Sequence, residues 1–295
     1  NVGFNGLLDY AVTKDQTIRA SFNGSHSTGE NQGVGNFDRI EKAFSTLGST
    51  YGVRMTEAGP LGRRFFINSR FSLTASNQTT RSVSEAIGRN VPDAFNEGGA
   101  QRKGGTHQKN FLFGSDLDYV RGKNSWRTGV QVEGSHYRSD LVSNYNGTYF
   151  FESLAAYNAG APRSFTQRVG NPNIEYWHVQ VGMYLQDDIR LRKNLSLSPG
   201  VRIEAQSHLK DYRNIGPRFG ATWSPFKSGK TSVRGSWGIF YDWVSSGTYV
   251  QTVQNDGFHL LEVNIANPTF PTVPNTSGGT ITPVNRYQYG SNMAM

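Results

Sequence analysis

The chain has 295 residues, no cysteine, 34 glycines and a formal net charge of +8. This length can form one large β domain or two smaller domains, and the lack of cysteine excludes a disulfide framework. No apolar run approaches the roughly 18–20 residues of a transmembrane helix. The mean hydropathy of −0.55 therefore excludes a helical membrane protein but not a transmembrane β-barrel. Lysine and arginine are scattered, so no nucleic-acid partner is expected.

Apolar and polar residues alternate along about ten segments, with the period of two that is typical of strands with two different faces. In chain order these segments are 2–12, 17–23, 64–75, 83–91, 111–119, 126–133, 176–190, 195–206, 218–223 and 232–242. In the seventh segment, for example, Trp177 and Val181 alternate with Gln180 and Gln186. The pattern predicts an all-β protein with antiparallel hairpins.

The connections between the predicted strands alternate between short and long. The short turns are 13–16, 77–79, 121–124, 192–194 and 226–230, and the long loops are 25–62, 92–107, 138–175 and the irregular stretch after 243. Brief helical segments are expected within 40–47 and 153–158. This segregation of lengths is typical of bacterial β-barrels, which have short periplasmic turns and long extracellular loops.

A soluble antiparallel sheet with one face on a core explains the alternation equally well, because the period reports only two different faces. Loop lengths favour the barrel. So do aromatic residues near the segment ends, where an interfacial girdle forms: Trp177, Trp223, Tyr241 and Trp243. The predicted fold is therefore an antiparallel transmembrane β-barrel, of which these strands form part. The chain starts without a signal peptide, and we expect an internal fragment of a longer precursor.

Several stretches resemble a known family. They are GPLGRRFFINSR at 59–70, LDYVRGKNSWRTGVQVEGSHYRSD at 117–140, GTYFFESLAAYNAGAPRSFTQRVGNPNIEYW at 147–177, MYLQDDIRLRKNLSLSPGVRIEAQ at 183–206 and NIGPRFGATWSPFKSGKTSVRGSWGIFYDW at 214–243. Over nearly its whole length the chain resembles the barrel of TonB-dependent outer-membrane receptors. It is most similar to the Oar-like kind, which carry an N-terminal carboxypeptidase-regulatory-like domain. The resemblance implies that residues 1–295 are part of such a barrel domain, without its plug, N-terminal domain and C-terminal strands.

The resemblance also implies a function in the bacterial outer membrane. Such a receptor binds a scarce or bulky solute and imports it when TonB, energised by an inner-membrane complex, pulls on the plug. The implied partners are outer-membrane lipid, the protein's own plug domain, TonB and a solute. The alternative is a non-transporting outer-membrane or surface scaffold, or a soluble carbohydrate-binding β-sheet protein.

Charged residues on the polar phase of the strands are candidates for the lumen wall of the barrel. They are Asp116, Asp118, Arg127, Glu133, Arg202, Glu204, Arg218 and Arg234. Charges in a lumen are tolerated only if they pair with one another, with a plug or with water. We expect a ladder of ion pairs that grips the plug; on a soluble protein the same residues would form a solvated face.

The long loops are the predicted ligand-binding surface. Aromatic rings stack on sugars and arginine pairs with carboxylates. The candidates in the loop 138–175 are Tyr145, Tyr149, Tyr157, Arg163 and Phe165. The alternative is that these rings only pack the loop against its neighbours.

No constellation of residues predicts an enzyme. Asp116 and Asp118 share a strand face about 7 Å apart, but acids so placed on a lumen wall are more often structural than catalytic. The six histidines form no HxxxH or HExxH pattern, so neither a metal site nor a cofactor is expected. The SGKT run at 228–231 resembles the end of a phosphate loop, yet Ser224 replaces the required glycine.

Overall fold

The computed structural model describes residues 1–209, 212–228, 230–254, 256 and 258–282. Within them the strands are β1 (Val2–Ala11), β2 (Thr17–Gln32), β3 (Phe44–Leu61), β4 (Phe65–Ser82), β5 (Gly88–Val91), β6 (Phe95–Glu97), β7 (Arg102–Arg121), β8 (Asn124–Ser139), β9 (Val142–Ser143), β10 (Thr148–Phe150), β11 (Ser164–Val169), β12 (Ile174–Arg192), β13 (Leu195–Gln206), β14 (Asn214–Trp223), β15 (Val233–Gly238), β16 (Leu261–Ala266) and β17 (Thr280–Thr282). The helices are α1 (Leu154–Asn158) and α2 (Ser246–Gln254), and 3₁₀ turns lie at Ile40–Lys42 and Thr276–Gly278.

One large antiparallel sheet contains the long strands. Its order is β1-β2-β3-β4-β7-β8-β12-β13-β14-β15, with the short β9 beside β7. The strands β1 and β15 form its edges and are not paired with each other within the described residues, so the sheet is open. The predicted all-β antiparallel fold is confirmed, and an open sheet is the form that part of a larger barrel takes.

Short and long connections lie at opposite ends of the large sheet. The short ones are 12–16, 62–64, 122–123 and 193–194, and the long ones are 33–43, 83–101 and 140–173. The last connection at each end, 224–232 and 207–213, does not follow this difference, with nine and seven residues. The predicted segregation of loop lengths is therefore confirmed for the other connections. Gly229 of the turn predicted at 226–230, and residues 283–295 of the predicted irregular stretch, lie outside the described residues.

The strands are longer than predicted, and their outer halves are polar on both faces. Most of the predicted loop 25–62 belongs to β2 and β3, and β7 begins at Arg102, inside the predicted loop 92–107. The turn predicted at 77–79 lies inside β4, where Asn77 is paired on both sides. These three predictions are wrong, because backbone pairing continues through the outer halves without hydrophobic alternation. The lipid-facing half of β3 was missed as well, although Tyr51, Val53 and Met55 do alternate there. The strand predicted at 83–91 shrinks to β5.

One face of the large sheet, which we call the outer face, is apolar and exposed. Cross-strand register aligns one row of its residues across eight neighbouring strands: Leu8, Ala20, Met55, Phe71, Phe113, Val132, Val181 and Ala205. Leu8 is 62% exposed and Met183, one step further along the same face, is 56% exposed. Soluble proteins rarely expose a contiguous apolar surface of this kind. The apolar phase therefore faces outward, as a lipid-facing strand requires.

The apolar band covers the half of each long strand that is nearer the short turns. On β4 the outer face is mainly apolar from Phe65 to Ala75 and polar from Asn77 to Arg81. A band of about 9–11 residues is the length that crosses a bilayer. The strands therefore continue beyond the bilayer on the side of the long connections.

Aromatic rings mark both borders of the apolar band. Near the short turns Phe65 stacks on Tyr119, with ring centroids 4.7 Å apart. At the opposite border Trp177 stacks on His136, with centroids 4.4 Å apart. These are the heights at which interfacial girdles form.

The last strand of the large sheet ends earlier than predicted. β15 stops at Gly238, and Ile239 donates one further N–H to the Pro217 carbonyl at 3.0 Å. The chain then crosses to the opposite face of the sheet, where the Arg202 guanidinium lies 5.8 Å from the Trp243 ring centroid. Trp243 is therefore no part of a girdle, contrary to the prediction.

A second sheet, which we call the cap, is built from the long connections. Its strand order is β17-β16-β11-β10-β5-β6, and β10 and β5 run parallel. Val91, Tyr149, Phe151 and Phe165 form its core, each at most 2% exposed. The predicted helical turn at 153–158 is confirmed as α1, whereas 40–47 contains only a 3₁₀ turn. The sequence did not predict α2.

Candidate functional site

The inner face of the large sheet, opposite the apolar band, carries the charged residues of the polar phase. Asp118 and Arg127 lie opposite each other on β7 and β8 and form a two-pronged ion pair, with Nε–Oδ1 at 2.6 Å and Nη2–Oδ2 at 2.9 Å. Asp116 accepts hydrogen bonds from Arg70 Nη1 at 3.0 Å and from the Tyr184 hydroxyl at 2.7 Å. Such charge-assisted bonds offset the loss of water around a charge in an enclosed lumen.

A glycine makes room for the bond between Tyr184 and Asp116. Gly129 lies opposite both residues, on the strand between them. A Cβ atom at this position would clash with the Asp116 carboxylate and with the Tyr184 ring. The close approach of the two side chains therefore depends on the missing side chain of Gly129.

A second charged pair lies on β13. Arg202 Nε donates to Glu204 Oε1 at 2.5 Å, and the Glu204 side chain is buried. The ring of Trp243 covers the same guanidinium. The segment that follows β15 thus shields this ion pair from solvent.

The remaining predicted lumen residues do not join the ladder. The Arg218 guanidinium lies 4.6 Å from the Phe240 ring centroid, and its Nε is buried without a hydrogen-bond partner. Glu133 accepts from Gln131, and Arg234 is exposed. Within the described residues neither Arg218, Glu133 nor Arg234 forms an ion pair. The expected continuous ladder is therefore two separate clusters with unpaired charges beside them.

The segment after β15 folds back over the inner face and was missed by the sequence analysis. Gln180 and Gln206 each donate to the Val244 carbonyl at 3.2 Å. On α2 the Tyr249 ring packs 4.8 Å from that of Tyr176, whose hydroxyl donates to the Ser246 carbonyl at 2.9 Å. Nothing in the weak amphipathic pattern of 246–254 signalled a helix against this wall.

The structure places three of the predicted binding residues inside the cap. Tyr149 and Phe165 are 1% and 0% exposed, and the Tyr149 hydroxyl donates to the Thr272 carbonyl at 2.8 Å. Tyr157 packs edge-on against Phe151 with ring centroids 5.1 Å apart. These three rings pack the loops against one another, which was the alternative to solute binding. No face of Tyr149 or Phe165 is open to a solute.

The other two candidates lie nearer the surface. The Tyr145 hydroxyl donates to Glu85, and the Lys103 ammonium lies 4.6 Å from the Tyr145 ring centroid. Burial, followed by the bond to Glu85, raises the pKa of Tyr145. The Arg163 side chain is 73% exposed and 3.7 Å from Glu152. These two side chains are not brought together.

Glu97 joins the cap to the connection between β2 and β3. It accepts from Arg89 at 2.9 Å and from the Tyr157 hydroxyl at 3.1 Å, and it lies 3.0 Å from Arg39. Burial acts to raise the pKa of Glu97, but the bonds from Arg89 and Tyr157 with the two positive charges outweigh it and lower the pKa. The charged form of Glu97 therefore stabilises the cap.

Two openings lie beside the inner face. A cavity of about 110 Å³ between the cap and the inner face is lined by polar side chains such as Tyr145 and Arg168 and by apolar ones such as Leu141 and Ile174. A wider cleft of about 400 Å³ on the inner face is lined by Glu133, His178 and Gln180 together with Phe111 and Leu112. Both openings therefore present a few polar groups on walls that are also apolar, which is the usual make-up of a ligand pocket.

None of the helices in the part of the chain that the structure describes has the length and the apolar character needed to cross a membrane. Among the same residues, no group of three or more histidine, aspartate or glutamate side chains is arranged to hold a metal ion.

The geometry defines a class of protein: a β-barrel wall with an apolar outer face, a charged inner face and a cap of long extracellular connections. The chain matches the family described as the outer membrane beta barrel domain over residues 21–211 and 208–294, and it belongs to that family. Its place is accordingly the bacterial outer membrane. No curated protein matches the chain.

Solved structures share the fold. The outer membrane transporter YddB from Escherichia coli is 16% identical, with a TM-score of 0.54 over 78% of this chain and 30% of that one. The RagAB peptide importer in its open-open state is 9% identical, with a TM-score of 0.50 over 80% and 32%. The chain thus spans about a third of the length of these structures. At such identities the similarity shows the fold alone.

Proposed function

We propose that the protein is an outer-membrane receptor of the TonB-dependent, Oar-like kind. It binds a scarce or bulky solute at its extracellular connections and imports it with TonB-coupled energy. The observation that carries this proposal is the cleft of about 400 Å³ on the inner face, whose wall combines Glu133, His178 and Gln180 with Ser245 and Ser246 of the segment after β15. A purely structural barrel needs the apolar outer face but has no use for such a cleft. The named transport roles of YddB and RagAB agree with the proposal.

The solute would first meet the cap and then the inner face. Tyr145 lines the cavity of about 110 Å³, and Arg163 is exposed at the cap surface. We assign solute contact to these two side chains, because an arginine can pair with a carboxylate and a tyrosine ring can stack on a sugar or a peptide group. Tyr149, Tyr157 and Phe165 contribute by holding the shape of the cap.

The inner-face charges would hold the plug that the remainder of such a receptor supplies. Residues 1–295 are then one part of the barrel domain, and the plug, the N-terminal domain and the last strands belong to the rest of the protein. Arg218 is the strongest candidate for a plug contact, because its side chain is only partly buried and forms no ion pair within the described residues, and its Nε has no hydrogen-bond partner there. An unpaired buried donor is costly unless another group satisfies it.

Uptake by cells tests the proposal. The full-length protein would be expressed in strains with and without TonB, which are then given pools of labelled peptides, oligosaccharides and ferric chelates. We expect one pool to be imported only with TonB, and we expect Tyr145→Ala with Arg163→Ala to reduce its uptake about tenfold or more. Lys193→Gln, a change in an exposed short turn, serves as the control.

Two outcomes separate the alternatives. Uptake that persists without TonB would identify a passive pore. An assembled barrel that imports none of the pools and contributes only to surface integrity would identify a scaffold. Arg218→Glu should weaken plug retention, measured by protease access to the plug, without preventing barrel assembly.

A further inference from the structure

A patch of basic residues lies on the outer face, immediately beyond the apolar band. It occupies β4, β7 and β8 on the side of the long connections. Its members are Arg81, His107, Lys109, His136 and Arg138, which we call the basic patch. The transport proposal makes no use of this patch, because it faces away from the lumen.

Cross-strand register sets the height of the basic patch. Lys109 lies opposite Ala75 and His136, in the row that ends at Tyr51 on one side and Trp177 on the other. This row is the aromatic border of the apolar band. His107 and Arg138 form the next row, roughly 7 Å further from the bilayer centre. The basic patch therefore lies at the level of lipid headgroups in the outer leaflet.

The arginine and lysine side chains of the basic patch have no ion-pair partner within the described residues, whereas its histidines are engaged: His107 Nδ1 lies 2.8 Å from Asn77 Oδ1. Arg81, Lys109 and Arg138 are exposed and form no ion pair within the described residues. Glu175, which lies opposite Arg138, is engaged by His136 instead, at 2.9 Å from its Nε2.

Two of these side chains can reach one anion together. Lys109 lies opposite His136, and Arg138 is the next outer-face residue on β8. Lys109 and Arg138 are therefore diagonal neighbours on adjacent strands, a spacing that long side chains can bridge.

Apolar side chains directly below the basic patch indicate what carries that anion. The row beneath Lys109 contains Leu73, Phe111 and Val179, and Leu73 is 44% exposed. A molecule with phosphate groups above and acyl chains below would satisfy both rows at once. Arginine and lysine are the side chains that bind phosphate best.

We propose that the basic patch is a binding site for the phosphate groups of a phosphorylated glycolipid in the outer leaflet. Lys109 and Arg138 donate to the phosphate, and His107 and Arg81 extend the site toward the sugar. The acyl chains of the lipid lie along the apolar band between β4 and β12. Binding would fix the barrel in the outer leaflet and is independent of solute transport.

Lipid binding to the full-length protein in detergent micelles tests this site. The probe is diphosphoryl lipid A, and the readout is its affinity by native mass spectrometry, with dephosphorylated lipid A and inorganic phosphate as comparisons. We expect K109Q/R138Q to weaken lipid A binding by at least about tenfold, the factor that one charge-assisted hydrogen bond supplies. The control K123Q/K193Q removes the same charge from two short turns at the far end and should bind like the wild type.

The outcomes decide between sources of the anion. The site is supported if the wild type and K123Q/K193Q bind diphosphoryl lipid A more tightly than dephosphorylated lipid A, and K109Q/R138Q does not. It is overturned if the wild type and both variants bind diphosphoryl lipid A equally well. It is also overturned if inorganic phosphate binds the wild type as tightly as the lipid does. Heat-modifiable gel migration verifies that each variant has folded, and solute uptake by K109Q/R138Q should remain, so failure here leaves the transport proposal standing.

Discussion

The large sheet and the cap use the same kinds of residues in opposite ways. In the sheet, Phe71 belongs to the outer face and is 38% exposed, whereas Phe165 in the cap is 0% exposed. The cap follows the rule of soluble proteins, with aromatic residues inside. The sheet reverses that rule because its outer face contacts lipid, while its inner face holds the charges. Whether an aromatic residue lies on the surface or in the core thus depends on whether that surface contacts lipid or water.

The two regions also differ in how far apart in sequence their contacts are. Each hairpin of the sheet pairs neighbouring segments, such as β7 with β8 across the turn at 122–123. In the cap the Tyr149 hydroxyl bonds to a carbonyl 123 residues away. Local pairing can be anticipated from alternation and turns, but the meeting of distant loops cannot.

The largest effect is expected from Phe165→Ala in the cap. Removing a fully buried ring that packs 4.8 Å from Tyr149 should cost the cap about 3–5 kcal/mol of unfolding free energy. Hydrogen exchange of residues 144–150 and 163–169 should rise sharply. Phe37→Ala, at a ring that is 51% exposed, should leave exchange unchanged. Similar exchange in both variants would contradict a packed cap core.

A charge on the lipid-facing side should have the next largest effect. Met183→Arg on the outer face should cost about 2–4 kcal/mol, measured by denaturant titration in lipid vesicles. Gln186→Glu on the inner face of the same strand is the control, because Arg127 lies directly opposite residue 186. If both variants lost the same stability, the assignment of the two faces would be wrong.

A smaller effect is expected from Gly129→Ala on the inner face. The added methyl group separates Tyr184 from Asp116, which should cost about 1–3 kcal/mol in the same titration. Gly235→Ala is the matched control, because no atom lies within 4 Å of its added Cβ. Combining Gly129→Ala with Tyr184→Phe should add little further loss; full additivity would argue against a shared contact.

The smallest effect is a pH dependence of the cap through Glu97. Because the pKa of Glu97 is lowered by folding, its stabilisation is present above the unfolded value of about 4.5 and is lost as the pH falls through the folded value. The protection factors of β5 and β6, which are corrected for the slower intrinsic exchange in acid, should therefore fall in mild acid. Glu97→Gln should lower these protection factors at neutral pH and remove most of their pH dependence. If the protection factors of the wild type did not change in acid, Glu97 would not have this role.

Sequence reasoning recovered most of the large sheet and little of the cap. The turns at 13–16, 121–124 and 192–194 and the outward direction of Val181 followed from alternation, because lipid imposes one apolar phase on every strand. The outer halves of the strands were mistaken for loops, because they touch no lipid and lose that phase. The lipid-facing half of β3 was mistaken for a loop too, although Tyr51, Val53 and Met55 keep the phase. For the candidate site, the inner-face position of Asp118 and Arg127 followed from the same phase.

By itself, the sequence determined the strand phase, the hairpin turns and hence which residues share a face. Those properties depend on the two-residue period of a strand and on residues that are close together in the chain. Both can be read directly from the sequence. Only the tertiary structure decided that Tyr149 and Phe165 are core, that Trp243 and α2 cover the inner face, and that Arg138 lacks a partner beside Glu175. Each of these features depends on contacts between segments that are distant in the chain. The pattern of residues along the chain does not show which distant segments pack together.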